Sequence, residues 1–145
     1  MMTSKGTPSA KVRPLFPIPD CAIDIADAYQ VPIEIVVAVR HVESSGNHGV
    51  GKVCGNKNGS CDIGAMQINE YWLPRLHKQN ISDKLLIENE CVNIAVGTWI
   101  LSSNYHSYKD WTAALSAYNT GRPSTPVGLK YAEKVLSNIK SPNGE

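Results

Sequence analysis

One apolar helical segment that ends on a carboxylate constrains how this chain can fold. Residues 33 to 39 are almost all apolar, and the segment continues to Glu43, where Ser44-Ser45-Gly46 interrupts the helical pattern. This segment is predicted to be a helix packed against the core, so the Glu43 carboxylate leaves the helix beside apolar surroundings. A carboxylate in that position has a raised pKa unless a partner compensates for the burial.

The rest of the chain repeats helical spacing without a convincing period-two strand, which predicts a mainly α domain of about six helices. Ser44 to Asp62 is rich in Gly, Asn and Ser and is predicted to be a long loop. The predicted helical segments are Cys21 to about Gln30 with Asp20 as N-cap, Ile33 to Glu43 with Pro32 in its first turn, short turns around Tyr71-Trp72-Leu73, Ser82 to about Tyr105, Asp110 to Tyr118, and Val127 to Ile139. The helix after Ser82 is expected to be central, with an inward stripe of Val92, Ala95, Val96 and Trp99.

The length of 145 residues suits a single domain with one core. Four prolines near the start disfavour a regular helix there, so residues 1–19 are predicted to be an extended or disordered arm. The domain is predicted to span residues 20–140, with a short tail at 141–145.

Charge and hydropathy exclude several classes of partner. The formal net charge is +1 and the basic residues are scattered, which predicts no nucleic-acid partner. No apolar run reaches the roughly 18 residues of a membrane span. The N-terminus lacks the apolar core of a secretory signal, and Met1-Met2-Thr3-Ser4-Lys5-Gly6 is interpreted as a start that replaces a removed leader.

The four cysteines, Cys21, Cys54, Cys61 and Cys91, suit an oxidising compartment. Cys54 and Cys61 bracket a turn-rich stretch that a local disulfide would close, which leaves Cys21 to pair with Cys91. Four free thiols in the cytoplasm are the alternative, and a zinc site is less favoured because no C-x-x-C or H-x-x-x-H spacing is present. We therefore expect a periplasmic protein with two disulfides and without a metal or other cofactor.

Glu43 is the first candidate for chemistry. A glutamate at a helix end is more often a solvated surface charge, but the apolar run before Glu43 disfavours its ionised form. A carboxyl group that stays protonated near neutral pH suits general-acid catalysis. The four histidines, His41, His48, His77 and His106, form no metal-ligand pattern and are interpreted as incidental.

Three further segments are candidates for a binding cleft. In Gly64-Ala65-Met66-Gln67, the glycine would let the backbone approach a ligand closely, the methionine would offer an adaptable apolar contact, and the glutamine would offer an amide. The segment could also be a buried turn that serves only packing. Tyr118-Asn119 could place a phenol and an amide in a polar cleft, although Asn119 before Gly121 could simply end a helix. Tyr131 could line the cleft, although an aromatic residue on a helix is more often part of the core.

Four segments, taken together and in order, resemble the four motifs of the soluble lytic transglycosylases. They are Glu43-Ser44, Gly64-Ala65-Met66-Gln67, Ala117-Tyr118-Asn119-Thr120-Gly121 and Tyr131. The Asp62 to Asn69 stretch and the Cys21 to Cys91 spacing are similar to the small members that accompany type III and type IV secretion, conjugation and pilus systems. The resemblance covers about Cys21 to Ile139. It implies a fold similar to goose-type lysozyme and a peptidoglycan substrate, cut between N-acetylmuramic acid and N-acetylglucosamine.

The resemblance also implies a role for each matching residue. Glu43 would protonate the glycosidic oxygen, and Ser44 would orient it or contact the departing sugar. Gly64, Met66 and Gln67 would line the cleft. Tyr118 and Asn119 would contact the muramic sugar, and Tyr131 would complete the cleft wall near Glu43.

The single matched carboxylate implies a reaction without water. Most glycosidases use two carboxylates, whereas here Glu43 would act first as acid and then as base, giving a 1,6-anhydromuramoyl product. A lysozyme-type hydrolase, with Asp62 as its second carboxylate, and an inactive glycan-binding module are the alternatives. Ala65 and Thr120 replace the leucine and the alanine usual at these motif positions, and the Cys54 to Cys61 loop lies outside the motif set.

Overall fold

The computed structural model describes residues 16–140 and is mainly helical, which confirms the predicted fold class. Residues 1–15 and 141–145, which include most of the predicted arm and the predicted tail, lie outside the described residues. Seven α-helices occur in the described range: α1 Cys21–Tyr29, α2 Ile33–Ser44, α3 Leu73–Lys78, α4 Asp83–Glu88, α5 Glu90–Tyr108, α6 Trp111–Thr120 and α7 Pro126–Lys140. Two 3₁₀ turns lie at His48–Val50 and Glu70–Trp72.

Helix α5 lies at the centre of the domain, as predicted. It packs against α1 and α6, and α7 packs against α6 and α2. The predicted inward stripe was too narrow. Val96 is buried and Val92 and Trp99 are partly buried, but the helix is enclosed on more sides, and the buried positions also include Asn93, Ile94, Gly97, Thr98, Ile100 and Leu101.

The predicted single helix from Ser82 to Tyr105 is wrong, because the chain leaves the helical conformation at Asn89. The Asn89 side chain accepts a hydrogen bond from the Val92 N–H at 3.0 Å and so caps α5. Ser82 caps α4 as predicted, through the Leu85 N–H at 3.0 Å. Asp20 occupies the N-cap position of α1, as predicted, but its side chain makes no capping hydrogen bond.

A small sheet lies between Lys52 and Asn69, and its first strand and most of its second fall within Ser44 to Asp62, where the sequence predicted a long loop. Strands β1 Lys52–Cys54, β2 Cys61–Ile63 and β3 Ile68–Asn69 pair antiparallel in the order β1-β2-β3. The register places Cys54 opposite Cys61. Strands of two or three residues are too short for a period-two pattern to show in the sequence.

Two disulfides close the fold, and both are the predicted pairs. Cys21 is bonded to Cys91 and joins α1 to α5, and Cys54 is bonded to Cys61 at the end of the β1-β2 pair. None of the helices between residues 16 and 140 has the length and apolar character needed to cross a membrane.

The end of α2 is held by a buried arginine. Arg40 forms an ion pair with Glu90 at 2.8 Å and donates to the carbonyls of Pro17 and Gly46 at 3.0 Å each. A buried guanidinium is tolerated because these partners satisfy its donors. The contact links the start of α5 to the turn that follows α2, directly beside Glu43.

Candidate active site

An open cleft of about 1070 Å³ lies at the C-terminal end of α2. Its walls come from the β1-β2 hairpin, the segment around β3, helix α5, and the end of α6 with the connection to α7. Glu43 lines this cleft together with Asp62, Gln67, Tyr118 and Asn119. The helix that ends at Ser44 therefore delivers one carboxylate to the cleft wall.

The Glu43 carboxylate is bonded to a phenol from the other end of the chain. Tyr131, on α7, donates its hydroxyl hydrogen to Glu43 Oε2 at 2.7 Å. Burial raises the pKa of the Tyr131 phenol well above its usual value, so this group remains a donor throughout the neutral range. The other oxygen, Oε1, has no hydrogen-bond partner among the described residues.

Burial raises the pKa of Glu43 from 4.5 to about 7. The negative charge of Asp62 adds to the rise, whereas the hydrogen bond from Tyr131 and the positive charge of Lys134 oppose it. A carboxyl group with this pKa is protonated in about half of the molecules near neutral pH. Glu43 can therefore both give and take a proton under the same conditions.

Asp62 is the second carboxylate of the cleft, and amide groups hold both of its oxygens. Asn69 donates to Oδ1 at 2.9 Å and Asn56 donates to Oδ2 at 3.0 Å. These two bonds hold the carboxylate in a fixed position on the hairpin. Asp62 thus differs from Glu43 in its surroundings, since it lies among polar groups on the hairpin.

The Gly64-Ala65-Met66-Gln67 segment is a turn whose backbone groups are bound by side chains from several elements. The Ser44 hydroxyl donates to the Ala65 carbonyl at 2.8 Å, and His48 Nδ1 accepts from the Ala65 N–H at 3.0 Å. On the next residue, Asn93 Oδ1 accepts from the Met66 N–H at 2.8 Å and the Tyr118 hydroxyl donates to the Met66 carbonyl at 2.6 Å. The turn is therefore fixed before any ligand binds.

Backbone conformation and space make Gly64 specific for glycine. Its φ is +75°, a region that side chains other than glycine seldom occupy. A Cβ atom at this position would lie 2.2 Å from Asn93 Nδ2 and 2.8 Å from His48 Cε1. Gln67 also has a positive φ, of 50°, and donates from Nε2 to the Gly64 carbonyl at 3.0 Å, which closes the turn.

The predicted site residues divide into a group at the cleft and a group behind it. Glu43, Gln67, Tyr118 and Asn119 line the cleft, and Tyr131 reaches Glu43. Ser44, Gly64 and Met66 are buried, with Met66 fully inaccessible, so cleft lining as predicted for Gly64 and Met66 is wrong. Of the four residues of the turn, Gln67 alone lines the cleft.

Sequence reasoning missed several residues that shape the site. The interpretation of His48 as incidental is wrong, because its imidazole binds the Ala65 N–H. Asn93 gave only the signal of a polar residue within an apolar helix, yet it is fully buried and also donates to the carbonyls of Ile63 and Leu86. Tyr71 and Trp72, predicted only as helical turns, line the cleft.

The same residues lie in a region of recognisable sequence similarity. The family described as the transglycosylase SLT domain matches residues 20–137. The chain belongs to this family. It is a lytic transglycosylase with a lysozyme-like fold, and its substrate is peptidoglycan.

Relatives of this transglycosylase match most of its length. It is 32% identical over 127 residues to Invasion protein IagB of Salmonella typhimurium (strain SL1344). The aligned region covers 86% of this chain and 78% of IagB. It is 31% identical over 118 residues to Protein IpgF of Shigella flexneri, with 80% and 76% covered. The Peptidoglycan-binding-like protein of Escherichia coli O157:H7 is 30% identical over 122 residues, with 79% and 73% covered.

Proposed function

We propose that this transglycosylase cuts the β-1,4 bond between N-acetylmuramic acid and N-acetylglucosamine and releases 1,6-anhydromuramoyl ends, with Glu43 as its only acid–base group. The observation that carries the proposal is the position of Glu43, whose carboxylate lines the cleft and accepts a hydrogen bond from the Tyr131 hydroxyl at 2.7 Å. Burial raises the pKa of this group to about 7, which supports a role as proton donor. Tyr131 binds Oε2, which leaves Oε1 as the carboxyl oxygen that would act on the substrate.

The proposed reaction begins with proton transfer from Glu43 to the glycosidic oxygen, and the bond from that oxygen to C1 of the muramic sugar breaks. The N-acetyl group of the same sugar stabilises the positive charge at C1. Glu43, now ionised, removes the proton of the C6 hydroxyl group, and O6 bonds to C1. Glu43 ends protonated again, and water is not consumed.

The neighbouring side chains have supporting roles in this proposal. Gln67 and Asn119 offer amides to the sugars from the cleft wall. Tyr118 contacts the muramic sugar through its ring, since its hydroxyl group is bonded to the Met66 carbonyl. Ser44 acts through the Ala65 carbonyl and Tyr131 acts by orienting Glu43, so both are positioning residues.

A lysozyme-type hydrolase is the second candidate, because Asp62 also lines the cleft. In that reaction a second carboxylate would activate water or stabilise the charge at C1. The two carboxylate oxygens of Asp62 already accept amide hydrogen bonds, from Asn56 and Asn69. This favours a structural role on the hairpin and leaves Glu43 to act alone.

Mass spectrometry of digested peptidoglycan tests the two reactions. The transglycosylase reaction gives 1,6-anhydromuramoyl ends, which are one water lighter than the reducing ends of a hydrolase. Only reducing ends would contradict the proposal.

A Glu43→Gln variant tests the assignment of the acid. It should lose roughly 10²- to 10⁴-fold in rate, the usual contribution of general acid–base catalysis. Glu88→Gln, at an exposed position on α4, is the matched control and should keep full activity. Unchanged turnover by Glu43→Gln would remove Glu43 from the mechanism.

We further propose that the enzyme works in the periplasm, where it opens the cell wall locally for a secretion, conjugation or pilus apparatus. Support comes from two disulfides, which suit an oxidising compartment, and from similarity to a protein named for invasion. Fractionation of the native host with thiol labelling of the unreduced, unfolded protein is the test. Four reactive thiols in a cytoplasmic fraction would contradict this location.

A further inference from the structure

Two features outside the catalytic group each place a cation on the cleft wall. One is the hairpin closed by the Cys54–Cys61 disulfide, which carries Lys57, and the other is the connection from α6 to α7, which carries Arg122. We infer that Lys57 and Arg122 bind carboxylate groups of the peptide stems of peptidoglycan, and that the enzyme thereby favours glycan strands with acidic stems. The inference rests on the proposed action on muramic acid, the sugar that bears the stem.

The hairpin holds its tip in a defined conformation. The disulfide joins the last residue pair of the β1-β2 register, and the Asn56 carbonyl accepts from the Gly59 N–H at 2.8 Å across the turn. On the cleft side, Asn56 Nδ2 donates to Asp62 Oδ2 at 3.0 Å. Lys57 therefore projects from a fixed turn, although its own side chain is exposed.

The backbone of Arg122 is fixed in a comparable way. The Ser116 hydroxyl donates to the Arg122 carbonyl at 2.8 Å, and the Arg122 N–H donates to Thr120 Oγ1 at 3.2 Å. Thr120 replaces the alanine that is usual at this motif position, and its additional hydroxyl group binds the Arg122 backbone. It sets the start of the connection on which Arg122 is exposed.

Both cations are free to bind an anion, and the substrate provides one. Neither Lys57 nor Arg122 forms an ion pair with another residue in the range 16–140. The sugar rings of peptidoglycan are neutral, and the lactyl carboxyl group is an amide wherever a stem is attached. The stem carboxylates are therefore the anions of an intact strand, and Arg or Lys is the side chain that proteins use to bind such groups.

The test compares glycan strands with native stems, with neutralised stems and without stems. Uncross-linked stem-bearing strands are assayed beside the same strands after carbodiimide coupling of their carboxylates to methylamine, and beside strands whose stems an amidase has removed. The variants are Lys57→Gln, Arg122→Gln and the double variant, with Lys78→Gln, exposed on α3 away from the cleft, as the matched control. Cleavage is followed by the shortening of end-labelled strands.

We expect each single variant to lose roughly two- to fivefold in kcat/KM on native stem-bearing strands, the scale of one exposed ion pair, and the double variant roughly four- to 25-fold. On methylamide strands all variants should match the wild type. The wild-type preference for native strands should also fall as salt is added. Equal losses on native and methylamide strands, or no loss on native strands, would overturn the inference.

Amidase-treated strands carry a free lactyl carboxylate in place of the stem, and the variants should lose less on them than on native strands. Equal losses on both would show that the two cations accept any carboxylate near the muramic sugar, and would overturn the assignment to the stem. Strand shortening is measured independently of the chemistry at the new end. A finding of reducing ends would therefore refute the proposed transglycosylase reaction and leave the comparison of native and neutralised strands intact.

Discussion

At the scale of single residues, the burial of Glu43 suits the proposed catalytic role but lowers stability. Burial raises the pKa of this carboxyl group to about 7, so the folded state binds a proton that the unfolded chain has already released above its ordinary value of 4.5. The free energy of unfolding must therefore fall as pH rises from about 4.5 to about 7, and stay lower above that. The shift corresponds to a few kcal/mol at most.

We predict that Glu43→Gln is more stable than the wild type at about pH 8, by roughly 1–3 kcal/mol, and nearly equal to it at about pH 4. Glutamine keeps an oxygen that can accept from Tyr131, but it carries no charge that burial penalises. Urea unfolding at the two pH values measures the difference. A variant that is less stable than the wild type at the higher pH would contradict the raised pKa.

The phenol that binds Glu43 should set the pH range of activity. The hydrogen bond from Tyr131 lowers the pKa of Glu43 in opposition to burial. Tyr131→Phe removes that bond, so the alkaline limb of the kcat/KM profile should move to higher pH, because Glu43 stays protonated longer. Tyr71→Phe, at an exposed cleft position, is the control and should leave the midpoint unchanged. A downward shift in Tyr131→Phe would contradict the assignment.

At the scale of elements, the site depends on a turn that is held from outside. The polar backbone groups of Ala65 and Met66 are bound by side chains from α2, α5, α6 and the 3₁₀ turn at His48. Buried backbone groups without partners are costly, so these bonds determine where Gln67 enters the cleft. The motif residues Ser44 and Tyr118 thus contribute to one supporting network.

We predict that Gly64→Ala destabilises the protein by about 2–4 kcal/mol, because strain from positive φ adds to overpacking against Asn93. Gly121→Ala is the matched control, since Gly121 has φ +81° but open space around its Cα. It should lose only about 1 kcal/mol. Urea unfolding of both variants gives the comparison, and equal losses would show that contact with Asn93 does not matter.

The elements also show where sequence reasoning was sufficient. The extents of α2, α6 and α7 followed from apolar spacing and from breakers such as Pro32 and Gly121. The break at Asn89 and the strands at 52–69 were missed. A polar residue with a free amide can continue a helix or cap the next one, and local sequence does not decide between the two.

At the scale of the whole molecule, the two disulfides should contribute unequally to stability. Cys21 and Cys91 are 70 residues apart and link two packed helices, whereas Cys54 and Cys61 are 7 residues apart within one hairpin. In the chain-entropy account, the longer loop contributes about 4 kcal/mol and the shorter about 2 kcal/mol.

We therefore predict that Cys21→Ala/Cys91→Ala lowers the free energy of unfolding about twice as much as Cys54→Ala/Cys61→Ala. Urea unfolding of the two double variants measures this. If the hairpin variant lost as much as the other, the stabilisation would have to come from native contacts of the hairpin.

The sequence alone was enough to predict a mainly α domain, the two disulfide pairs and the family, because these depend on spacing along the chain. It also identified Glu43 as a carboxyl group with a raised pKa, since the apolar residues before it in α2 belong to the same helix. Only the tertiary structure decided that Tyr131 binds Glu43, that Ser44 and Met66 lie behind the cleft, and that His48 and Asn93 hold the turn. Those contacts join residues 17 to 88 positions apart, and they form only when the core has brought the helices together.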